Sequence, residues 1–315
     1  MLAPGARKIM GRKMEIYASM VEYMDDQIGR VFDYLKEIGE YDNTVVIFFS
    51  DNGAEGNDLR GMMAGRPGTA GYMHAVNSFA ENGHNSIGRK GTYAEYGPAW
   101  AQVGMTPFRL YKGWVSEGGT RSPLIVSGPG VQGVGELNKE AVLHVMDIAP
   151  TILEMAGVEH PSTFKGREIV PMQGKSWVDM LAGKVQSPRT SDDWLGWELF
   201  GNRAIRQGDW KISMLFQPMG TYDWQLFNLA EDPGEQYDLA AKFPEKTTQL
   251  VALWDEYVEM NGVIIGNRSP FEQAGKQLPT RVLEDDNYPP VRGMEAIPYE
   301  KLMELMGGKT KKEDK

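Results

Sequence analysis

The chain has 315 residues, enough for one large or two modest domains, and its 41% hydrophobic and 24% charged residues are ordinary for a soluble globular protein. Its 43 acidic against 33 basic residues give a formal charge of −10, which argues against a nucleic-acid partner; the absence of cysteine excludes disulfides, thiolate metal sites and a cysteine nucleophile from this chain. No apolar run approaches the ~20 residues that would span a bilayer, and no apolar signal segment follows Met1, so no transmembrane segment is expected and the choice between cytoplasm and periplasm stays open.

In chain order, the spacing of Tyr17, Met20, Val21, Met24, Ile28, Val31, Phe32 and Leu35 predicts an amphipathic helix over 12–38, stopped at Gly39. Asp25 and Asp26 fall beside the apolar stripe and read as solvated. After an Asp42-Asn43 turn, Thr44-Val-Val-Ile-Phe-Phe-Ser50 is a continuous β-branched and aromatic run, which predicts a strand buried on both faces in a parallel sheet. Helix, turn and buried strand form the second half of a βαβ unit, so a preceding strand is expected outside these residues.

Residues 51–105 are rich in Gly and Asn with no sustained period, and read as a long functional loop. Leu124-Ile-Val126 is a short strand ended by Ser127-Gly-Pro-Gly130. Residues 140–156 predict a helix carrying His144, with Val142, Met146, Ile148, Ile152 and Met155 on its buried side and Pro150 marking a bend or a first turn. Residues 203–230 predict an antiparallel hairpin or small sheet. Phe243 to Met260 predicts a closing helix through Leu250, Leu253, Trp254, Tyr257 and Val258. Beyond Gly262 the composition is Pro- and charge-rich, which predicts a disordered tail. The expected units are therefore 1–165, 166–262 and an extension over 263–315.

Two constellations carry chemistry. Asp51 and Asn52 follow the buried strand, and in open α/β sheets sites form at the carboxyl ends of strands. Their side-chain oxygens suit a hard cation, although Asp-Asn-Gly is also ordinary turn chemistry. Between Lys112 and Arg121, Gly118-Gly119 permits backbone shapes closed to other residues; Lys112 offers a point charge to an anionic ester and Arg121 a planar fork. Read alone, these are equally a surface lysine and a structural arginine beside a glycine turn. The four histidines, His74, His84, His144 and His160, show no zinc-ligand spacing. His144 reads as structural, and His74 and His84 as loop residues.

Taken together and in order, these segments resemble the sulfatase family, and among its members bacterial arylsulfatases of the Pseudomonas type. The helix from Met14 to Leu35 is similar to the one before that family's metal strand, and Asp42 to Gly53 is similar to the metal strand itself. Lys112 to Arg121 resembles its Lys-Gly-x-x-x-Glu-Gly-Gly-x-Arg signature. Met146 to Gly157 is similar to the following helix, and Arg203 to Lys211 and Leu226 to Gly234 to its C-terminal strands. The resemblance covers roughly residues 12–262.

It implies an α/β fold: part of an alkaline-phosphatase-like sandwich with a mostly parallel sheet, plus a small antiparallel C-terminal subdomain. It implies a sulfuric ester hydrolase with Asp51 and Asn52 as two ligands of a divalent cation, calcium rather than magnesium, and Lys112 on the sulfate of a small-molecule ester. The family nucleophile is a formylglycine made within Cys/Ser-x-Pro/Ala-x-Arg. No cysteine is present, and Ser127-Gly-Pro-Gly-Val131 lacks the arginine. The nucleophile, the first metal-ligand pair and the histidine acids are thus expected in an N-terminal half, encoded separately or lost, and the chain alone is expected to be inactive. The alternatives are a phosphonate or phosphodiester hydrolase of the same superfamily and a non-catalytic cation-binding remnant.

Overall fold

The computed structural model describes residues 4–56, 83–133, 135–217 and 219–264. His74, most of the long loop and the extension beyond 264 lie outside what is described, while His84 falls in a 3-10 turn, Gly83–Ser86. The chain opens with α1 (Pro4–Glu37), longer than its periodicity predicts, and leaves it through Gly39 at φ +75°, a left-handed turn that glycine takes without strain. The predicted apolar stripe is not buried among the described residues. Met20 is 65% and Val31 57% exposed. The helix does make contacts: the Trp100 indole donates to the Met10 carbonyl, Tyr17 meets Tyr96 at 4.6 Å, and Phe32 near its end meets Tyr41 at 5.8 Å.

β1 (Val46–Phe49) runs antiparallel to β2 (Leu124–Ser127), with Ile47 opposite Val126 and Phe48 opposite Ile125. The expectation of a parallel strand buried on both faces is therefore corrected. Among the described residues β2 is the sole neighbour of β1, and Phe48 and Phe49 are each 39% exposed. A continuous apolar run reports affinity for burial on both faces; it cannot report whether both are covered. Between these strands lie α2 (Pro98–Gly104), inside the stretch expected to be loop, and the single turn α3 (Glu117–Thr120).

The helix expected over 140–156 is shorter. His144 is extended and precedes a 3-10 turn, Val145–Asp147, which leads into α4 (Ile148–Met155) with Pro150 in its first turn. The buried residue is Thr151; Ile152 and Met155 are exposed. The side chains of Asp147 and Thr151 bind backbone amides of Lys175 and Trp177, so polar anchoring replaces the expected apolar side. A two-residue hairpin, β3 (Thr163–Phe164) and β4 (Arg167–Glu168), and the short α5 (Val178–Leu181) follow.

The C-terminal sheet is antiparallel in the order β5 (Trp194–Leu199), β6 (Asn202–Gln207), β7 (Trp210–Met214), β8 (Gln225–Asn228). Its first strand, β5, precedes the predicted range of 203–230. Side chains alternate across a strand. Ile205, Ile212 and Leu226 face one side and form a core with Leu250 and Trp254 of α6 (Pro244–Asn261). Ala204, on the other face, packs with Leu110, Trp114, Val115 and Leu215. The helix thus covers one face and the loop that begins near Lys112 covers the other. No helix among the described residues is long and apolar enough to cross a membrane.

Candidate functional site

The end of β1 is joined to the glycine turn mainly by backbone hydrogen bonds. The Ser50 amide bonds the Pro123 carbonyl at 3.2 Å, the Gly53 amide bonds the Gly119 carbonyl at 3.0 Å, and the Lys112 amide bonds the Ala54 carbonyl at 3.1 Å. The Ser122 hydroxyl donates to the Ser50 carbonyl, and the Ser50 hydroxyl to the Asn52 carbonyl. This contact requires glycines. A Cβ on Gly53 would stand 1.9 Å from the Gly118 carbonyl oxygen, one on Gly118 2.1 Å from that of Leu110, and one on Gly119 1.9 Å from that of Trp114. All three obstacles are backbone atoms, which cannot swing aside.

Asp51, Asn52, Lys112 and Arg121 line one open cleft. Asp51 is exposed and Asn52 half-buried. The Lys112 ammonium lies 3.1 Å from Glu55 Oε2, a partner the Lys112 segment does not suggest, with both side chains near half exposure. An exposed pair of this kind contributes little to stability, so Lys112 can exchange Glu55 for another anion at small cost. The Arg121 guanidinium sits 4.6 Å over the Phe108 ring and 3.8 Å from Glu117 Oε2, so it is held by the turn and not extended as a free fork.

His144 stands apart from these residues in chemistry. Its Nδ1 accepts the Met146 amide while Asp147 accepts the His144 amide, a reciprocal cap on the turn before α4. Burial lowers its affinity for a proton; the Asp147 charge raises it and Arg189 lowers it, leaving the pKa below the ordinary value of 6.5. In the unfolded chain His144 binds a proton more readily than in the folded one. Its contribution is therefore complete above pH 6.5 and is lost as pH falls from 6.5 through the lowered folded value. Urea midpoints measured from pH 7.5 to 5.5 are expected to fall, and to fall less for His144→Asn, which keeps a capping acceptor without the titration. Equal slopes in the two proteins refute the assignment.

Two family models match the chain. The sulfatase model covers residues 4–158, and the model for the N-sulphoglucosamine sulphohydrolase C-terminal region covers 108–260. An uncharacterized sulfatase of Schizosaccharomyces pombe is 41% identical over 262 residues, covering 82% of this chain and 45% of that protein. The arylsulfatase of Klebsiella aerogenes is 32% identical over 192 residues, covering 60% and 39%. The chain thus spans less than half the length of these relatives. Among solved structures, the crystal structure of Ps i-CgsB in complex with k-i-k-neocarrahexaose superposes with a TM-score of 0.52 at 23% identity, covering 76% of this chain and 42% of that one. At that identity the likeness concerns the fold alone.

Proposed function

Because the chain belongs to the sulfatase family, we propose that it carries part of a sulfate-ester hydrolase site, with Asp51 and Asn52 binding a divalent cation and Lys112 contacting the sulfate group. One observation carries the reading most directly. The strand end with the two oxygen side chains and the loop with the lysine are stitched together, Gly53 to Gly119 and Ala54 to Lys112, and open into the same cleft. A cation and an ammonium side by side stabilise negative charge on sulfuryl oxygens.

The donor set fits a hard cation in chemistry, since a carboxylate and a carboxamide offer oxygens. It fits in part only. Among the described residues no group of three or more His, Cys, Asp or Glu converges, so Asp51 and Asn52 provide two of the six or more oxygens that calcium takes, water or other protein groups providing the rest. Calcium is preferred to magnesium because a pair of ligands that supplies only part of a shell suits a cation that tolerates flexible geometry. When bound, the cation supplies electrostatic stabilisation of the sulfate ester. Lys112 holds one sulfuryl oxygen, and Glu55 releases Lys112 to do so.

A nucleophile is a separate requirement. These 315 residues hold no cysteine, and covalent catalysis needs an activated nucleophile with its base. A polypeptide carrying the formylglycine motif is therefore the partner this reading needs, and the substrate is a small-molecule sulfate ester. Calorimetric titration of the purified chain with calcium chloride tests the cation site. Weak binding that disappears in Asp51→Ala, with no release of phenol from an aryl sulfate at any calcium concentration, is expected. Binding unchanged in Asp51→Ala removes the proposed site, and turnover by the chain alone removes the claim that its nucleophile lies elsewhere.

A further inference from the structure

Behind the glycine turn lies a buried group of charges that the reading above does not use. Lys211 of β7 is 0% exposed and Glu117 and Glu235 are each 2% exposed. The Lys211 ammonium lies 2.9 Å from Glu117 Oε1 and 3.1 Å from Glu235 Oε1, while Glu235 Oε2 accepts the Glu117 amide at 2.7 Å. Arg206 Nη1 stands 3.8 Å from Glu117 Oε2. Lys211 and Arg206 are directly opposite one another on β7 and β6. Two cations facing across a ladder repel, and the Glu117 carboxylate, inserted from the loop, resolves that repulsion.

The titration of the three groups agrees with this geometry. Burial pushes Glu117 up, but Lys211, Arg206 and Arg121 outweigh it and hold the carboxyl below its ordinary value. Burial works against the Lys211 charge, and the two carboxylates keep it cationic. Burial pushes Glu235 up, relieved by Lys211 and reinforced by the Glu117 charge.

A buried charge group of this kind is weak evidence of stabilisation, because well-packed apolar residues often serve as well. Its position is more informative. Glu117 is followed immediately by Gly118, whose amide bonds the Arg109 carbonyl at 2.9 Å, and by Gly119, whose carbonyl takes the Gly53 amide. Lys112 and Arg121 flank the same turn. We propose that Lys211 is a positioning residue: by gripping Glu117, with Glu235 as counter-anchor, it fixes the loop that carries Lys112, and through Gly119 the Asp51–Asn52 strand end, against the C-terminal sheet. The C-terminal sheet thereby sets the distance between the cation ligands and the sulfate-contacting amine. This rests on the reading of Lys112 as the sulfate contact.

The test separates position from stability. Lys211→Met alone strands two buried carboxylates and is expected to lower the urea midpoint. The triple variant Glu117→Gln/Lys211→Met/Glu235→Gln removes all three charges and is expected to recover most of that midpoint. Amide exchange of the 315-residue chain is then followed by NMR at Gly53 and Gly118, with Ile205 and Ile212 as reference amides in the sheet. In the triple variant the two glycine amides are expected to exchange roughly fivefold faster or more, the factor that loss of one net hydrogen bond gives, with the reference amides unchanged. Glu235→Gln, which keeps the Lys211–Glu117 pair, is expected to leave Gly53 and Gly118 near the wild-type rate. Addition of sodium sulfate is expected to shift the Gly113 and Gly119 amides in the wild type and not in the triple variant.

Wild-type exchange at Gly53 and Gly118 in a folded triple variant overturns the proposal. If the triple variant fails to fold, Glu117→Gln against Glu235→Gln decides by the same amides: faster exchange in the first alone supports it, and equal rates overturn it. Sulfate-induced shifts that persist in Lys112→Ala defeat the sulfate reading, and the exchange comparison still decides the role of Lys211.

Discussion

Arg189→Met is expected to cost about 3–5 kcal/mol of folding stability, the usual consequence of removing one partner from a buried ion pair. Arg189 grips Asp147 with both nitrogens, at 2.5 and 2.6 Å, and their side chains are 6% and 0% exposed. Asp147 also accepts the His144 amide at 2.7 Å and the Lys175 amide at 2.8 Å. Burial alone would push its carboxyl up; the Arg189 and amide hydrogen bonds hold it below the ordinary value instead. Without Arg189 the carboxylate stays buried with amides alone for company. Asp147→Asn in the same chain is expected to recover part of the loss, because it removes the charge and leaves an acceptor. Urea unfolding of the single and double variants measures both. A loss below about 1 kcal/mol would place the pair among those that contribute no more than surface bridges do.

Gly119→Ala is expected to be nearly as damaging and to act on the site directly. Its new Cβ would meet the Trp114 carbonyl oxygen at 1.9 Å and that of Tyr111 at 2.8 Å. Neither can be avoided by a rotamer, so the turn must open, at a cost of about 1–3 kcal/mol or more by the measure of other overpacked sites. Opening the turn releases Gly53 and with it Asp51 and Asn52. Calcium binding is then expected to weaken in parallel with the urea midpoint. Gly29→Ala is the matching control: nothing lies within 4 Å of its new Cβ, and alanine in a helix interior is favoured over glycine by about 0.5–1 kcal/mol. If Gly119→Ala behaves like Gly29→Ala, the close approach described for the turn is wrong.

Periodic patterns made much of the secondary structure legible. The stripe of α1, the apolar run of β1 and the spacing of Leu250 and Trp254 in α6 each correspond to an element found. Burial was less legible. The α1 stripe and the aromatic residues of β1 read as core, yet Met20, Val31, Phe48 and Phe49 are exposed among the described residues, because pattern records what a face favours and not what covers it. Strand β5 falls outside the predicted 203–230 because Gly196 interrupts the apolar pattern of Trp-Leu-Gly-Trp. A Cβ there would stand 2.4 Å from the Tyr257 ring of α6, so the glycine makes room for a helix far along the chain. Asp51, Asn52 and Lys112 drew attention through ordered motifs. Lys211 and Glu235 did not, since a lysine after Gly-Asp-Trp and a glutamate after Asp-Pro-Gly have the look of surface turns. Their burial follows from a meeting of distant segments, which no local pattern encodes.

That meeting also orders events in time. Glu117 is 94 residues from Lys211 and 118 from Glu235, and contacts of such long range form late, because the intervening chain must first be gathered in. On the ribosome the chain emerges from its N-terminus. The segments bearing Asp51 and Lys112 are made early, but they remain without their anchor until Lys211 has been synthesised and β7 has paired with β6. Maturation of the cation and sulfate positions is therefore timed by formation of the C-terminal sheet, and a ribosome-bound chain stopped before Lys211 would carry Asp51, Asn52 and Lys112 while lacking the geometry that joins them.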